Sequence, residues 1–291
     1  VQTCALPILW PGHFSPDANR SFVLMPAGKP RGAVVLLHGL TDSPYSVRHL
    51  AVNYQQHGFV AVVPRLPGHG TAPGALTDVD WEAWLAATRL TVREATRLTG
   101  NDLPLHLVGY SNGGALAMKY ALDALDAPEL RKPQQIVLLS PMIGVTAFAR
   151  FAGFAGLPAM LPAFAKAAWL NISPEYNPYK YNSFPVNAAR QSWLLTQALH
   201  EQINRDVHDH KLAQLPPVLA FQSVMDSTVS TRAVVSGLFD QLPANGSELV
   251  VFDINQAGSF RPLFRPSSWT AVADLLPEAK RRYSVTIVTN A

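Results

Sequence analysis

The stretch GYSNGG, residues 109–114, places Ser111 between two glycines at the spacing of a sharp strand-to-helix turn. The preceding residues, LHLV, predict a buried strand, and the following ones, GALAMKYALDAL, belong to a predicted helix that begins at Asn112. In such a turn the serine backbone is held in an unfavourable conformation. The chain also passes so close to itself that Gly109 and Gly113 cannot carry side chains. The pattern therefore predicts an exposed serine hydroxyl that acts as a nucleophile, and a turn whose serine only caps the helix is the alternative.

Apolar runs rich in Val and Leu alternate with helical stretches on both sides of this turn. Such runs are typical of parallel strands that are buried on both faces, as in βαβ units. The predicted strands span residues 32–40, 59–66, 104–111, 134–142, 217–226 and 247–255, and the predicted helices span 45–58, 80–98, 112–125 and about 230–241. We therefore predict one α/β domain with a mostly parallel central sheet and helices on both faces.

Residues 145–215 interrupt this alternation and have a different composition. The first part is almost wholly Ala, Phe, Leu, Gly and Pro. Pro158 and Pro162 break an apolar run that is already shorter than the roughly 18–20 residues of a membrane span. We predict a helical apolar cap inserted into the core rather than a transmembrane helix. The second part is rich in aromatic residues, which either pack the cap or line a substrate pocket: Tyr176, Tyr179, Tyr181, Phe184 and Trp193.

The predicted domain organisation is a core made of residues 22–144 and 216–291, a cap at 145–215 and an N-terminal extension at 1–21. The first residues, VQTCALPILWPGH, look like a cloning or sequencing remnant, with native sequence resuming near Phe14. They lack the basic start and long apolar centre of a signal peptide, which favours the cytoplasm but leaves the compartment open. At the other end, RRYSVTIVTNA alternates like a strand and then stops, which suggests truncation.

The overall charge argues against nucleic acid as a partner. The chain carries 15% charged residues, a net charge of +3 and a pI near 9.0, and it has no run of Lys and Arg with interleaved aromatic residues. With 48% apolar residues it is expected to fold around a substantial core. The single cysteine, Cys4, rules out an internal disulfide framework.

A serine nucleophile needs amide groups that stabilise the negative oxygen formed when a carbonyl is attacked. The backbone N–H of Asn112 opens the predicted helix, where the helix dipole favours negative charge. The second donor is expected from the stretch HGLTDSP, residues 38–44, through the backbone N–H of Leu40. For the His38 side chain we favour bonding to the backbone of a tight turn over a direct role in catalysis.

An acid is needed to orient an imidazole base and to stabilise its cationic form. Asp226, at the end of the strand in FQSVMDSTVS, is the favoured candidate. Its alternative role is the N-cap of the following helix. Asp253, at the end of the next strand, is the reserve candidate for the acid.

The motifs HGLTDSP, RLPGHG, GYSNGG and QSVMDSTV, in this order and separated by these strands, resemble those of the α/β-hydrolase superfamily. Within it the chain is most similar to carboxylesterases, monoacylglycerol lipases and lysophospholipases of the serine aminopeptidase S33 type, from about Phe22 to Asn255. The resemblance implies an α/β-hydrolase fold with a cap inserted between the sixth and seventh strands. It also implies a nucleophile, an acid and two backbone oxyanion donors, which fall on Ser111, Asp226, Leu40 and Asn112.

The chain departs from this family at the general base, since the family's histidine follows the acid and no histidine follows Asp226 here. Either the natural protein continues beyond Ala291, which the retained serine, glycines and aspartate favour, or the complete chain has lost catalysis. We expect this 291-residue chain to be nearly inactive. His69 is expected to shape the PGHG turn, and His208 and His210 to lie in a solvated stretch rather than bind a metal.

These features predict a serine hydrolase that cleaves carboxylic esters through an acyl-enzyme, without a cofactor or metal. The apolar cap favours small-molecule esters with apolar acyl groups, such as monoacylglycerols or lysophospholipids, and transient contact with a lipid surface. A thioesterase or peptidase of the same fold stays open. The alternative from another class is a noncatalytic binding protein that keeps the pocket and lacks the base.

Overall fold

The computed structural model describes residues 17–144, 168–224, 226, 229–253 and 280–290. The strands within these ranges are β1 (Phe22–Leu24), β2 (Gly32–Leu37), β3 (Phe59–Val63), β4 (Leu105–Tyr110), β5 (Gln135–Leu139), β6 (Trp169–Asn171), β7 (Phe184–Pro185), β8 (Val218–Ser223), β9 (Glu248–Asp253) and β10 (Ser284–Thr289). The α-helices are α1 (Arg48–Gln56), α2 (Trp81–Thr99), α3 (Asn112–Asp126), α4 (Val186–His208) and α5 (Thr231–Gly237). Residues 1–16 of the predicted N-terminal extension and residues 145–167 of the predicted cap lie outside the described residues.

Eight of these strands form one sheet in the order β1-β3-β2-β4-β5-β8-β9-β10. Every neighbouring pair is parallel except β1 with β3. The predicted mostly parallel sheet is therefore confirmed, and the strand predicted near the end of the chain is β10, which pairs with β9. Sequence patterns do not predict β1, because an antiparallel edge strand of 3 residues is too short to show a clear periodicity.

Helices cover both faces of the sheet, and the alternation along β2 shows how. Ala33, Val35 and Leu37 pack with α2 and α3 on one face, while Val34 and Leu36 pack with α1 on the other. All five side chains are fully buried. Full burial of a valine or leucine side chain contributes about 1.5–3 kcal/mol, so both faces of this central strand stabilise the fold.

The predicted strands begin within one residue of the observed positions but extend too far at their carboxyl ends. β2 ends at Leu37 instead of residue 40, because the chain turns out of the sheet from His38 onward. β3 ends at Val63, since the next residue, Pro64, has no N–H to continue the ladder. β5 ends just before Ser140, which takes a φ of +42°. Each early end leaves a loop at the carboxyl edge of the sheet.

The insertion leaves the core after β5 and returns at β8. The resemblance implies a position between the sixth and seventh strands, whereas in the described chain the insertion follows the fifth strand. Its described part contains the strand pair β6–β7 and α4, which packs along α3 and buries Leu195, Leu199 and Ile203. Its action as a cap stays a prediction. None of the described helices combines the length and the apolar character that crossing a membrane requires.

The strand order fixes the place of the candidate site. The chain runs from β2 outward to β3 and then crosses back to β4 on the other side of β2. In open α/β sheets, connections that leave two neighbouring strands in opposite directions open a crevice at the carboxyl ends of those strands. The loop after β2 carries Leu40 and the turn after β4 carries Ser111, so both lie at this edge.

Candidate active site

Ser111 lies between β4 and α3 in a backbone conformation that serine rarely adopts. Its φ is 54° and its ψ is −116°. Hydrogen bonds hold this turn from both sides, because Ser111 N–H donates to Leu139 O at 2.9 Å and Ser111 O accepts from the N–H groups of Gly114 at 2.9 Å and Met142 at 3.0 Å. A non-glycine residue in such a region costs on the order of 1–3 kcal/mol, and it persists only where the surroundings enforce it.

The close approach of backbone around Ser111 leaves no room for side chains at two of the neighbouring positions. A β-carbon on Gly113 would lie 2.3 Å from Leu37 O, and one on Gly109 would lie 2.3 Å from Gly113 O. These contacts are with backbone atoms, which cannot rotate away. The two glycines therefore let the start of α3 sit directly against the ends of β2 and β4.

Two backbone N–H groups at this edge of the sheet are candidate donors, one after β2 and one after β4. In the part of the chain that the structure describes, neither Leu40 N–H nor Asn112 N–H donates a hydrogen bond. Both residues are buried, with Asn112 at the first position of α3. Because buried N–H groups are nearly always paired, two donors without an acceptor among the described residues make this edge a candidate anion site.

His38 holds the peptide group to which the Leu40 N–H belongs. Its Nε2 accepts from Leu66 N–H at 3.1 Å, so that nitrogen carries no proton and Nδ1 donates to Gly39 O at 2.9 Å. Burial lowers the pKa of His38 well below its usual value, and the neighbouring His69 lowers it further. A neutral His38 with both ring nitrogens engaged agrees with the predicted backbone-bonded role rather than with a general base.

Asp226 lies just beyond the carboxyl end of β8. Its Oδ1 accepts from Val229 N–H at 2.9 Å, and its backbone N–H donates to Ser223 O at 3.3 Å. The helix N-cap that the sequence offers as an alternative role belongs instead to Ser230, whose Oγ accepts from Ala233 N–H at 3.2 Å. Asp226 therefore closes the turn before α5 and is not the cap of that helix.

Asp226 and Ser111 lie at the same edge of the sheet, because each follows the carboxyl end of a parallel strand. Burial raises the pKa of Tyr110, the last residue of β4, and the charges of Asp42 and Asp226 raise it further. Asp253 ends β9, which lies one strand farther from β4 than β8 does.

A family comparison agrees with this geometry. The family model described as serine aminopeptidase, S33, matches residues 28–253, which is most of the chain. The chain belongs to the serine aminopeptidase S33 family. The resemblance inferred from the four motifs is confirmed, and so is the α/β-hydrolase fold.

Alignments with individual relatives cover a smaller part of this S33 family member. It is 34% identical over 89 residues to the thermostable monoacylglycerol lipase of Bacillus sp. (strain H-257), a match that covers 30% of this chain and 34% of the lipase. It is 26% identical over 129 residues to phospholipase YtpA of Bacillus subtilis (strain 168), covering 41% of this chain and 44% of the phospholipase. The chain thus spans less than half the length of the curated relatives it matches.

Solved structures extend the likeness over the whole fold. A structure described with the metagenome-derived lipolytic enzymes LipS and LipT superposes with a TM-score of 0.62 at 20% identity. The superposition covers 89% of this S33 family chain and 97% of the other. At this identity the likeness concerns the fold alone.

The histidines of this S33 family member leave the general base without a candidate in the described residues. His38 and His69 are buried with their ring nitrogens facing backbone groups. His106 lies earlier in β4, packed beside Tyr54 and Phe59. In the described ranges, no histidine hydrogen-bonds to Ser111.

Sequence reasoning missed two features of the site. His69 reaches Leu40 O with its Nε2 at 2.8 Å, although the PGHG motif suggested only a turn. Tyr181, one of several aromatic residues in the insertion, binds the PGHG loop through its hydroxyl and the loop of Leu40 through its backbone N–H. The motif and the aromatic cluster were visible in the sequence, but their contacts depend on segments that are far apart along the chain.

Proposed function

We propose that this protein is a serine hydrolase that cleaves carboxylic esters with apolar acyl groups. The observation that carries the proposal is the strained backbone of Ser111, at the same sheet edge as Leu40 and Asn112, whose N–H groups have no acceptor among the described residues. A strained serine between a buried strand and a helix start, at an edge with two amide donors, suits acyl transfer.

The mechanism follows from these positions. A general base accepts the Ser111 proton as Oγ bonds to the ester carbonyl carbon, and the carbonyl oxygen becomes an oxyanion bound by Leu40 N–H and Asn112 N–H. Collapse of this intermediate breaks the bond to the alcohol, which leaves with the proton from the base. Water then repeats the sequence on the acyl-enzyme and releases the acid. Asp226 is the proposed carboxylate that orients the base.

The substrate class rests on the relatives and on the insertion. Relatives named as a monoacylglycerol lipase and a phospholipase support esters of fatty acids. The described part of the insertion exposes Ile172 at 60% and Tyr176 at 78%, which supports contact with a lipid surface. The S33 description itself keeps a peptidase among the alternatives.

The second candidate is a noncatalytic binding protein that uses the same pocket. It is favoured by one observation, namely that none of the described histidines hydrogen-bonds to Ser111. Such a protein would keep the anion site at Leu40 and Asn112 and would bind a fatty acid or ester without cleaving it.

Labelling with an alkyl fluorophosphonate tests the two candidates. The 291-residue chain and the product of the complete reading frame are compared, each with and without Ser111→Ala. The enzyme proposal expects covalent labelling at Ser111 in the product of the complete reading frame and none in its Ser111→Ala variant. Absence of labelling, together with calorimetric binding of a fatty acid, would instead establish the binding protein.

The same probe decides between the two acids. Asp226→Asn is expected to slow labelling roughly 10²–10⁴-fold, because the base loses the carboxylate charge that keeps it in the correct tautomer. Asp253→Asn is the matched control, since it makes the same change at the end of the neighbouring strand. The opposite order of effects would move the acid to Asp253.

A further inference from the structure

A side chain and a backbone group from distant segments hold the loop that carries Leu40. Leu40 O accepts from His69 Nε2 at 2.8 Å, and Thr41 O accepts from the backbone N–H of Tyr181 at 2.8 Å. With Gly39 O held by His38, three successive carbonyl groups of this loop have donors from side chains or from another segment. Because each peptide unit is planar, the bond from His38 to Gly39 O fixes the direction of the Leu40 N–H, and the bonds to Leu40 O and Thr41 O hold the two peptide units that follow it.

The hydrogen bonds around His69 assign its proton to the nitrogen that faces Leu40. Its Nδ1 lies 2.9 Å from Pro67 O and its Nε2 lies 2.8 Å from Leu40 O, but a neutral imidazole can donate only once. Burial lowers the pKa of His69, which keeps the ring neutral near pH 7. Pro67 O already accepts from Trp84 Nε1 at 3.0 Å, whereas His69 is the donor to Leu40 O among the described residues. The proton therefore belongs on Nε2.

Tyr181 connects the PGHG loop to the inserted segment. Its hydroxyl donates to Gly68 O at 3.1 Å and accepts from Thr71 N–H at 2.9 Å, so both functions of the phenol are used. Its ring stacks on His69 with centroids 6.4 Å apart and an interplanar angle of 11°. Only 9% of Tyr181 is exposed. Tyr181 thus contacts the loop of Leu40 through its backbone N–H. Its side chain contacts His69 and the PGHG loop, which hold the loop of Leu40 in turn.

We propose that His69 and Tyr181 are positioning residues of the loop that carries Leu40, through which the inserted segment holds the peptide units that follow the Leu40 N–H. The inference rests on the proposed function, in which this N–H binds the oxyanion. It goes beyond that function by making the insertion part of the catalytic geometry, in addition to any role in covering the substrate.

Matched variants separate positioning from general packing. Tyr181→Phe removes the two phenol bonds and keeps the ring and the backbone bond. Tyr120→Phe is its control, since Tyr120 is also buried and also donates to a backbone carbonyl, Arg131 O, at 3.1 Å. At residue 69, a glutamine amide reaches the position of Nε2 and an asparagine amide reaches the position of Nδ1. His69→Gln therefore retains a donor to Leu40 O, and His69→Asn does not.

The first readout is the hydrolysis of a chromogenic ester by the product of the complete reading frame. Loss of an oxyanion donor costs about 10²–10³ in kcat, and a misdirected donor costs less. We expect Tyr181→Phe and His69→Asn to lower kcat about tenfold with KM within about twofold, the pattern of an interaction made only in the transition state. His69→Gln should recover most of the rate, and Tyr120→Phe should match the wild type.

The second readout observes the Leu40 amide directly and does not need catalysis. Labelling glycine carbonyl carbons with ¹³C and leucine nitrogens with ¹⁵N restricts a carbonyl-filtered NMR spectrum to the Gly-Leu peptides of the sequence, which are 39–40, 156–157 and 237–238. The Leu40 signal is expected to shift or broaden in Tyr181→Phe and His69→Asn. It should keep its position in Tyr120→Phe.

Each outcome bears on one proposal. Wild-type protein without Ser111-dependent hydrolysis overturns the proposed function, and the Leu40 signal still decides whether these residues position the loop. An active wild type with unchanged kcat in Tyr181→Phe and His69→Asn overturns the inference. So does a Leu40 signal that responds equally to Tyr120→Phe. Melting temperatures of all variants identify any that lose the fold. If either Tyr181→Phe or His69→Asn does, the other supplies the comparison.

Discussion

At the scale of single residues, Ser111 places its hydroxyl in the site at the expense of backbone strain. Its φ of 54° is maintained by bonds to Leu139, Gly114 and Met142. Glycine adopts positive φ with little strain, so a serine at this position makes the folded protein less stable than a glycine would. Residues that conflict with local preference in this way are typical of functional sites.

Replacing Ser111 by glycine is therefore expected to stabilise the protein while removing the nucleophile. Relief of strain is worth about 1–3 kcal/mol, and the greater freedom of glycine in the unfolded chain offsets about 0.4–1 kcal/mol of this. We expect Ser111→Gly to exceed Ser111→Ala by about 1 kcal/mol in the free energy of unfolding. Urea denaturation of both variants provides the measurement, and equal stabilities would show that the turn is not strained.

The position of Asp226, the proposed acid, could be predicted from the sequence, but its contacts could not. Asp226 follows a predicted strand, and the structure places it at the same edge as Ser111. Its bond to Val229 N–H and the use of Ser230 as the helix cap depend on the exact turn between β8 and α5. Several neighbouring Asp, Ser and Thr residues offered caps there, so residue type alone did not decide between them.

At the scale of elements, the site depends on how closely α3 approaches β2. Gly113 lies where a β-carbon would be 2.3 Å from Leu37 O and 2.7 Å from His38 O. Both atoms belong to the end of β2 and the start of the loop that carries Leu40. A side chain at position 113 would therefore separate the two elements that carry the candidate amide donors.

Gly113→Ala is expected to destabilise the protein by about 3 kcal/mol, the upper part of the usual range for overpacking, because only backbone can move. Gly74→Ala is the matched control, since nothing lies within 4 Å of a β-carbon there. It should change the free energy of unfolding by less than about 0.5 kcal/mol. Chemical denaturation of both variants tests this, and a small effect at position 113 would mean that α3 can shift without cost.

The elements were predictable where hydrophobic pattern and glycine agree. The predicted helices 80–98 and 112–125 correspond to α2 and α3, and the predicted strands start within one residue of the observed ones. The end of β2 was predicted too late, because residues 38–40 directly follow its apolar run, whereas Leu40 O and the next carbonyl, Thr41 O, bond to His69 and Tyr181. These partners lie 29 or more residues away, beyond the reach of local patterns.

At the scale of the whole molecule, buried histidines link the fold to pH. Burial lowers the pKa of His38, His69 and His106 from the usual 6.5. The unfolded chain therefore binds protons below about pH 6.5 that the folded chain does not. Above that pH these histidines are neutral in both states, so their burial carries no protonation cost. As the pH falls through and below it, the free energy of unfolding decreases.

We expect the free energy of unfolding to fall between pH 7.5 and pH 5.5, by at most about 1.4 kcal/mol per pH unit for each histidine that stays neutral in the folded state. His69→Gln should make this decline shallower. Urea titrations of the wild type and His69→Gln at both pH values give the slopes, and parallel declines in the two proteins would contradict the assignment.

The architecture of the core could be predicted best from the sequence, and the structure of the insertion could be predicted least. Four motifs in order were enough to place the chain in its family, because each is tied to the end of a core strand. The insertion was recognised by composition, yet α4 was not delimited, since its sequence mixes apolar and polar residues without a distinctive start. The contact of Tyr181 with two core loops arises only when the complete chain folds.

Acylation of Ser111 during ester cleavage can be measured directly. The measurement is intact-mass spectrometry of the product of the complete reading frame, quenched with acid within milliseconds of mixing with a p-nitrophenyl ester. We expect one added acyl group, located on the peptide that contains Ser111 and missing from the Ser111→Ala variant. Undiminished ester turnover by Ser111→Ala, or an acyl group on a different residue, would contradict it.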